Sequence, residues 1–281
     1  MKLFRLLLLP ISGFLLFGIL TASVGAFDLD DLKVLSKDID KIRGKVSTSD
    51  EIDMGNKLLA GLLGAAPLVD DKRLQRYVND VGYWVASHSG RKNLPWRFGV
   101  MNSTGISAFA APGGQIVITA GLYQLLENEA QLAAVLAHEI AHVKGKHHLK
   151  ALQKTMKRDF WTGMGTKVVE DKAAREKLDK LVNTGIKLYS TGLDRKYEYQ
   201  ADRDGVVLSA RAGYDPYALL DVLTTIDSIN PRDADMSVLL KTHPRTSERL
   251  KLLNRSMEGK LDKYAEGRHN TERFRANPLV N

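Results

Sequence analysis

Four of the seven histidines in this chain, His138, His142, His147 and His148, fall within eleven residues. The first two frame His138-Glu139-Ile140-Ala141-His142, and the residues around them, Leu132 to Ala137, Ile140 and Val143, are apolar. On a helix, positions i and i+4 lie on one face about one turn apart, so both imidazoles can reach a single metal ion. Glu139 stands beside the first imidazole and can address a metal-bound water without taking a coordination position. The apolar flanks turn these polar residues into the protein, which argues against two surface histidines on a solvated helix. The chemistry this spacing suits is metal-assisted hydrolysis, with zinc as the ion.

Catalytic zinc takes three protein ligands and keeps a fourth position for water. Two residues compete for the third place. Read onward, His138 to His148 fits HExxHxxGxxH, with Gly145 as the turn and His148 as the ligand, the metzincin pattern. Glu198-Tyr199-Gln200-Ala201-Asp202 offers the gluzincin alternative: Glu198 as ligand, and Asp202 one turn on to orient a ligating histidine. The spacing alone leaves both open, since Glu258 and Asp262 repeat it.

The elements that must position these residues are legible from periodicity. Asn128 reads as an N-cap, with Gln131 at the third helical position, opening an apolar helix from Leu132 to Val143. A second helix over Asp194 to Arg211 would carry Glu198 and Asp202. Upstream, residues 28–43 and 50–65 and the stretch Asp70 to Ser87 read as amphipathic helices, the last with Leu74, Tyr77, Val78, Val81 and Val85 at helical spacing and Gly90 beyond its end. The period then changes. Trp96 to Met101, Gln115 to Thr119 and Ala108 to Ala110 read as strands, with Pro112-Gly113-Gly114 turning between the last two. An extended peptide can add along an exposed strand edge, which makes Gly113, Gly114 and Ile116 candidate substrate-binding residues. A buried strand with an ordinary glycine turn is the equal alternative. Residues 150–190 read as charged helices broken near Gly163 and Gly165. A solvated face packed on the core is the favoured reading there, against a basic cover over the cleft or a peripheral membrane contact.

Composition narrows the rest. The 281 residues are 44% hydrophobic and 26% charged, as in ordinary globular chains, and include no cysteine. Disulfide scaffolds, thiolate metal sites, cysteine nucleophiles and an N-terminal lipidated cysteine are thereby excluded. Any metal must be held by histidine and carboxylate. The formal charge of +8 is spread along the chain without a nucleic-acid-binding motif, so no nucleic-acid partner is expected. Lys2 and Arg5, the apolar run Leu6 to Leu20 and the small residues Val24-Gly25-Ala26 form the three parts of a secretory signal, with an uncleaved anchor as the alternative. The expected organisation is a signal over residues 1–26, one domain over 27–256 and a loosely held polar tail over 257–281. The expected location is the periplasm or cell envelope.

Several separate stretches resemble the HtpX- and BepA-type gluzincin peptidases, relatives of the CAAX prenyl endopeptidase. These are Ala108-Phe109-Ala110-Ala111-Pro112-Gly113-Gly114 with the strand after it, the His138–His142 motif, Glu198-x-x-Ala201-Asp202-x-x-Gly205, and Thr242-His243-Pro244-x-Thr246-x-x-Arg249. They span about residues 50 to 256. The resemblance implies an α+β, mostly helical, zincin-like fold with a small β-sheet. It implies one Zn2+ per chain held by His138, His142 and Glu198, with Glu139 as general base. His147 matches a family histidine that is not a ligand. His243 matches the position that stabilises the oxyanion or, in latent forms, occupies the open metal position. Arg249 would brace the site, although its type and place suit a surface ion pair equally well. The implied activity is endopeptidase action on unfolded or misassembled envelope proteins, with polypeptides as partners. A latent, chaperone-like zinc protein is the alternative. After residue 27 no apolar run approaches a membrane span, and the sequence stops soon after the Arg249 helix. Prenyl-protein processing and recruitment through a C-terminal repeat domain are therefore not carried over.

Overall fold

A computed structural model describes residues 46–162, 192–236, 239, 243 and 246–279, with the backbone alone for 155–162. The candidate signal segment, the helix expected over residues 28–43 and most of 150–190 lie outside the described residues.

Helix α1 (Thr48–Ala65) begins at Ser47, whose hydroxyl accepts from the Asp50 amide. Helix α2 (Lys72–Ala86) begins at Asp71, whose carboxylate accepts from the amides of Arg73 and Leu74 at 2.9 and 3.0 Å. Such caps satisfy amides that have no intrahelical partner. The apolar stripe expected on α2 is its buried face: Leu74, Tyr77, Val78, Val81 and Val85 are all in the core.

Three strands follow, β1 (Arg97–Met101), β2 (Ala108–Ala111) and β3 (Gln115–Thr119). Their spatial order is β1-β3-β2, with β3 parallel to β1 and antiparallel to β2. Alternation sorts their side chains to two faces. Phe98, Val100, Ala108, Ala110, Ile116 and Ile118 join the main core. Met101, Phe109 and Val117 point the other way and pack with Leu59, Leu62 and Leu63 of α1. The sheet thus lies between α1 and the helical body.

After the short helix α3 (Ala120–Leu125), Asn128 caps α4 (Glu129–Lys144) by accepting from the Gln131 amide at 3.0 Å. Every residue of α4 from Glu129 to Val143 is buried. A helix buried on all sides belongs at the centre, and α4 packs against α2, β2, α6 (Arg195–Arg211) and α7 (Ala218–Ser228). Helix α5 (His147–Thr162) follows it directly, and α8 (Thr246–Met257) packs on α6 and α7. No helix among the described residues is long and apolar enough to cross a membrane.

The C-terminal segment differs from the loose tail its polarity suggests. Phe274, in the short helix α9 (Thr271–Arg275), is only 8% exposed. The Asn277 carbonyl accepts from the Tyr123 hydroxyl at 2.6 Å, and the His269 carbonyl from the Ala130 amide at 3.2 Å. Asn270 and Arg273 donate to Glu129, a fully buried carboxylate that also accepts from the hydroxyls of Tyr77 and Tyr214. The polar residues of this segment satisfy a buried charge, and composition cannot distinguish that from solvation.

Candidate active site

Helix α4 sets the first two candidate ligands one turn apart, with the Nε2 atoms of His138 and His142 separated by 3.1 Å. Helix α6 lies against α4 and delivers Glu198, whose carboxylate oxygens stand 3.7 Å from His138 Nε2 and 3.5 Å from His142 Nε2. That approach depends on Gly205. A β-carbon there would stand 3.0 Å from the backbone nitrogen and α-carbon of His138. His243, just before α8, places Nδ1 2.7 Å from Glu198 and Nε2 3.9 Å from Glu139. His138, His142, Glu198 and His243 are all buried, and their ligating atoms lie within 4.8 Å of one another.

These residues fit a divalent ion. Two nitrogens each bound at 2.0–2.1 Å in tetrahedral geometry lie about 3.3 Å apart. The separations of 3.1, 3.5 and 3.7 Å bracket that value. Glu198 Oε1 is buried without a hydrogen-bond partner, a costly state that a bound cation relieves.

Burial holds the His142 pKa well below its ordinary value, in the neutral form that ligates. Burial opposes the charging of His138 too, but hydrogen bonds to Asp202 and Glu198 outweigh it and lift that pKa to about 9. Glu198 is buried, yet His243, His142 and His138 keep its pKa well below the carboxylate range. For Glu139, burial prevails and raises the pKa despite the attraction of His243 and His138.

The supporting residues act through contacts. His138 Nδ1 lies 3.0 Å from Asp202, and Arg249 grips the same carboxylate through Nε and Nη2 at 2.9 and 2.6 Å. Burial resists ionisation of Asp202, but Arg249 and His138 hold its pKa at about 2. Arg249 is 5% exposed, a buried brace rather than a surface ion pair. His148 is not part of the four-residue group. The HExxHxxGxxH reading gives way because Glu198, and not His148, stands with the two histidines in that group.

Gly113, Gly114 and Ile116 are not brought to this group, and the expectation of an open edge at β3 is corrected. The strand is central, with partners on both sides, so its backbone groups are already engaged. Gly113 and Gly114 do turn the chain, at φ of 85° and 106°. They face Ile52 and Trp96 of the protein itself rather than a cleft.

Periodicity did not reveal the support at the far end of α4. Glu51, 1% exposed, accepts two bonds from Arg91 at 2.7 and 2.9 Å, and Lys146 lies 3.1 Å away. Arg91 also donates to the carbonyl of Val143, one residue past His142. The only sequence signal was an acid on an amphipathic helix, which is ordinarily solvated.

The chain is similar to known proteases. The chain is 30% identical over 210 residues to the beta-barrel assembly-enhancing protease of Escherichia coli (strain K12), covering 73% of this chain and 43% of that protein. It is 28% identical over 246 residues to the protease of the same name from Yersinia pestis, covering 85% and 51%. To the mitochondrial metalloendopeptidase OMA1 of Arabidopsis thaliana it is 30% identical over 213 residues, covering 74% and 42%. It therefore spans about half the length of these relatives or less. The profile of peptidase family M48 matches residues 71–257, a stretch that runs from the cap of α2 to the last residue of α8 and holds every candidate ligand. The chain belongs to peptidase family M48.

Proposed function

We propose that this chain is a zinc-dependent endopeptidase that cleaves unfolded or misassembled envelope proteins. The observation that carries this reading is the convergence of His138, His142 and Glu198 on one point, with Glu139 adjacent to the first of them. The names of the bacterial relatives support the envelope substrates, and the candidate signal over residues 1–26 supports export.

Zinc, which His138, His142 and Glu198 would hold, would supply Lewis acidity to a water and to the scissile carbonyl. Glu139 takes the proton from the attacking water. Its buried carboxylate binds a proton more tightly than a solvated one, which suits a general base near neutral pH. The same carboxyl group then returns the proton to the leaving amine. Asp202 accepts from His138 Nδ1 and fixes that ring, while Arg249 keeps Asp202 charged. One of two roles for His243, with Nε2 on the Glu139 side, is donor to the oxyanion as it develops.

One observation favours a latent resting form. His243 belongs to the ligand group and bonds Glu198 at 2.7 Å, which suits a side chain that closes the fourth position.

The test is zinc content and casein cleavage for the wild type and Glu139→Gln. Both are expected to hold one zinc per chain, with turnover in the variant reduced by about 10²–10⁴-fold. Equal activity, or no zinc in either protein, would sink the reading.

A further inference from the structure

No step above uses His147, yet the fold immobilises it beside a candidate ligand. Helix α4 ends at Gly145, Lys146 takes a left-handed φ of 53°, and α5 opens with His147 folded back against the ring of His142. The two Nδ1 atoms are 3.2 Å apart, and the rings meet edge to face at 88°. A face of the His147 ring stacks on Tyr197 of α6, with centroids 4.7 Å apart. Gly145 leaves room for the ring, since a β-carbon there would stand 2.2 Å from His147 Nε2. The side chain is wholly buried.

His142 turns Nε2 toward His138 and Glu198. A ligating imidazole nitrogen carries no proton, so the neutral ring keeps its proton on Nδ1. That N–H needs an acceptor, ordinarily a carboxylate, a backbone carbonyl or a water. Here His147 Nδ1 is the group that faces it, and an accepting Nδ1 leaves the His147 proton on Nε2. The two ligands are thus held differently. His138 is oriented by the anion Asp202, itself neutralised by Arg249. A second carboxylate beside His142 would add negative charge near Glu139, Glu198 and Asp202, whereas a neutral imidazole orients the ring without that repulsion.

We propose that His147 is a positioning residue: its Nδ1 accepts from His142 Nδ1 and so fixes the tautomer and ring orientation with which His142 meets the metal. This rests on the proposed ligand set of His138, His142 and Glu198.

The test compares wild type, His147→Asn and His147→Leu by zinc affinity under chelator competition and by the visible spectrum with cobalt in place of zinc. Asparagine restores an acceptor near the Nδ1 position, while leucine supplies bulk alone. The leucine variant is expected to bind zinc about 10–100-fold more weakly and to show an altered cobalt spectrum, with the asparagine variant close to wild type. Equal weakening in both variants would assign His147 to packing and overturn the proposal, as would wild-type affinity in the leucine variant. Nitrogen-15 shifts of the zinc-loaded wild type give a reading that needs no variant. They should show a proton on His142 Nδ1 and none on His147 Nδ1, and the reverse overturns the proposal. A wild-type chain that binds neither zinc nor cobalt removes the ligand set itself, which distinguishes failure of the proposed function from failure of this inference.

Discussion

Asp202, Arg249 and His243 stand within the same few ångströms as the candidate ligands. Arg249 keeps Asp202 ionised, so His138 has a fixed acceptor behind it. His243 is different in kind, because it bonds Glu198 and also reaches toward Glu139. Its two proposed roles predict opposite effects of one substitution. Removing an oxyanion donor costs about 10²–10³-fold in turnover, whereas removing a plug frees the fourth position. Membership in the ligand group favours the plug in the resting protein. His243→Ala is therefore expected to raise initial casein cleavage with zinc content unchanged, and a loss of two orders of magnitude would assign the residue to the oxyanion instead.

At the scale of elements, α4 is held at both ends through a buried carboxylate, its own Glu129 at the N-terminal end and Glu51 of α1 at the other. At its C-terminal end, Glu51 ties α1 to Arg91, to Lys146 and to the Gly113 amide of the β2–β3 turn. Burial resists ionisation of Glu51, but Arg91 and Lys146 prevail and hold its pKa below the ordinary value of 4.5. The unfolded chain then binds the proton more tightly than the folded one. Stability from this group is complete above pH 4.5 and is lost as the pH falls through the lower, folded-state value. Glu51→Gln is expected to cost about 2 kcal/mol at pH 7, the worth of hydrogen bonds to a charged group. In chemical denaturation followed from pH 7 to pH 3, the deficit against wild type should narrow below pH 4.5. A deficit independent of pH would show that the clasp acts through shape alone.

Across the whole molecule, the C-terminal segment returns to the N-terminal end of α4, where Asn270 and Arg273 meet Glu129 and Phe274 enters the main core. This closure joins residues more than 140 positions apart in sequence. It adds an apolar anchor to a carboxylate that would otherwise keep only its two tyrosine partners. Phe274→Ala is expected to lower stability by about 3 kcal/mol, at the lower end for a buried phenylalanine because the ring is not fully enclosed. A denaturant midpoint unchanged from wild type would mean that the segment is loosely held after all.

Local sequence determined what local physics controls. The four-residue spacing of His138 and His142 follows from helix pitch, the start of α4 from the Asn128 cap, and the three strands from the change in period. The Glu198-to-Asp202 spacing offered a ligand and an orienting acid, but HExxHxxGxxH fitted the residues equally well. Tertiary structure decided between them, because only the packing of α6 on α4 brings Glu198 to the two histidines. It also placed β3 in the middle of the sheet, buried Arg249 and set the His147 ring against that of His142. The polar C-terminal segment shows why such features were hidden. A charged or polar side chain reads the same in sequence whether water or a buried partner satisfies it, and only the fold supplies the partner.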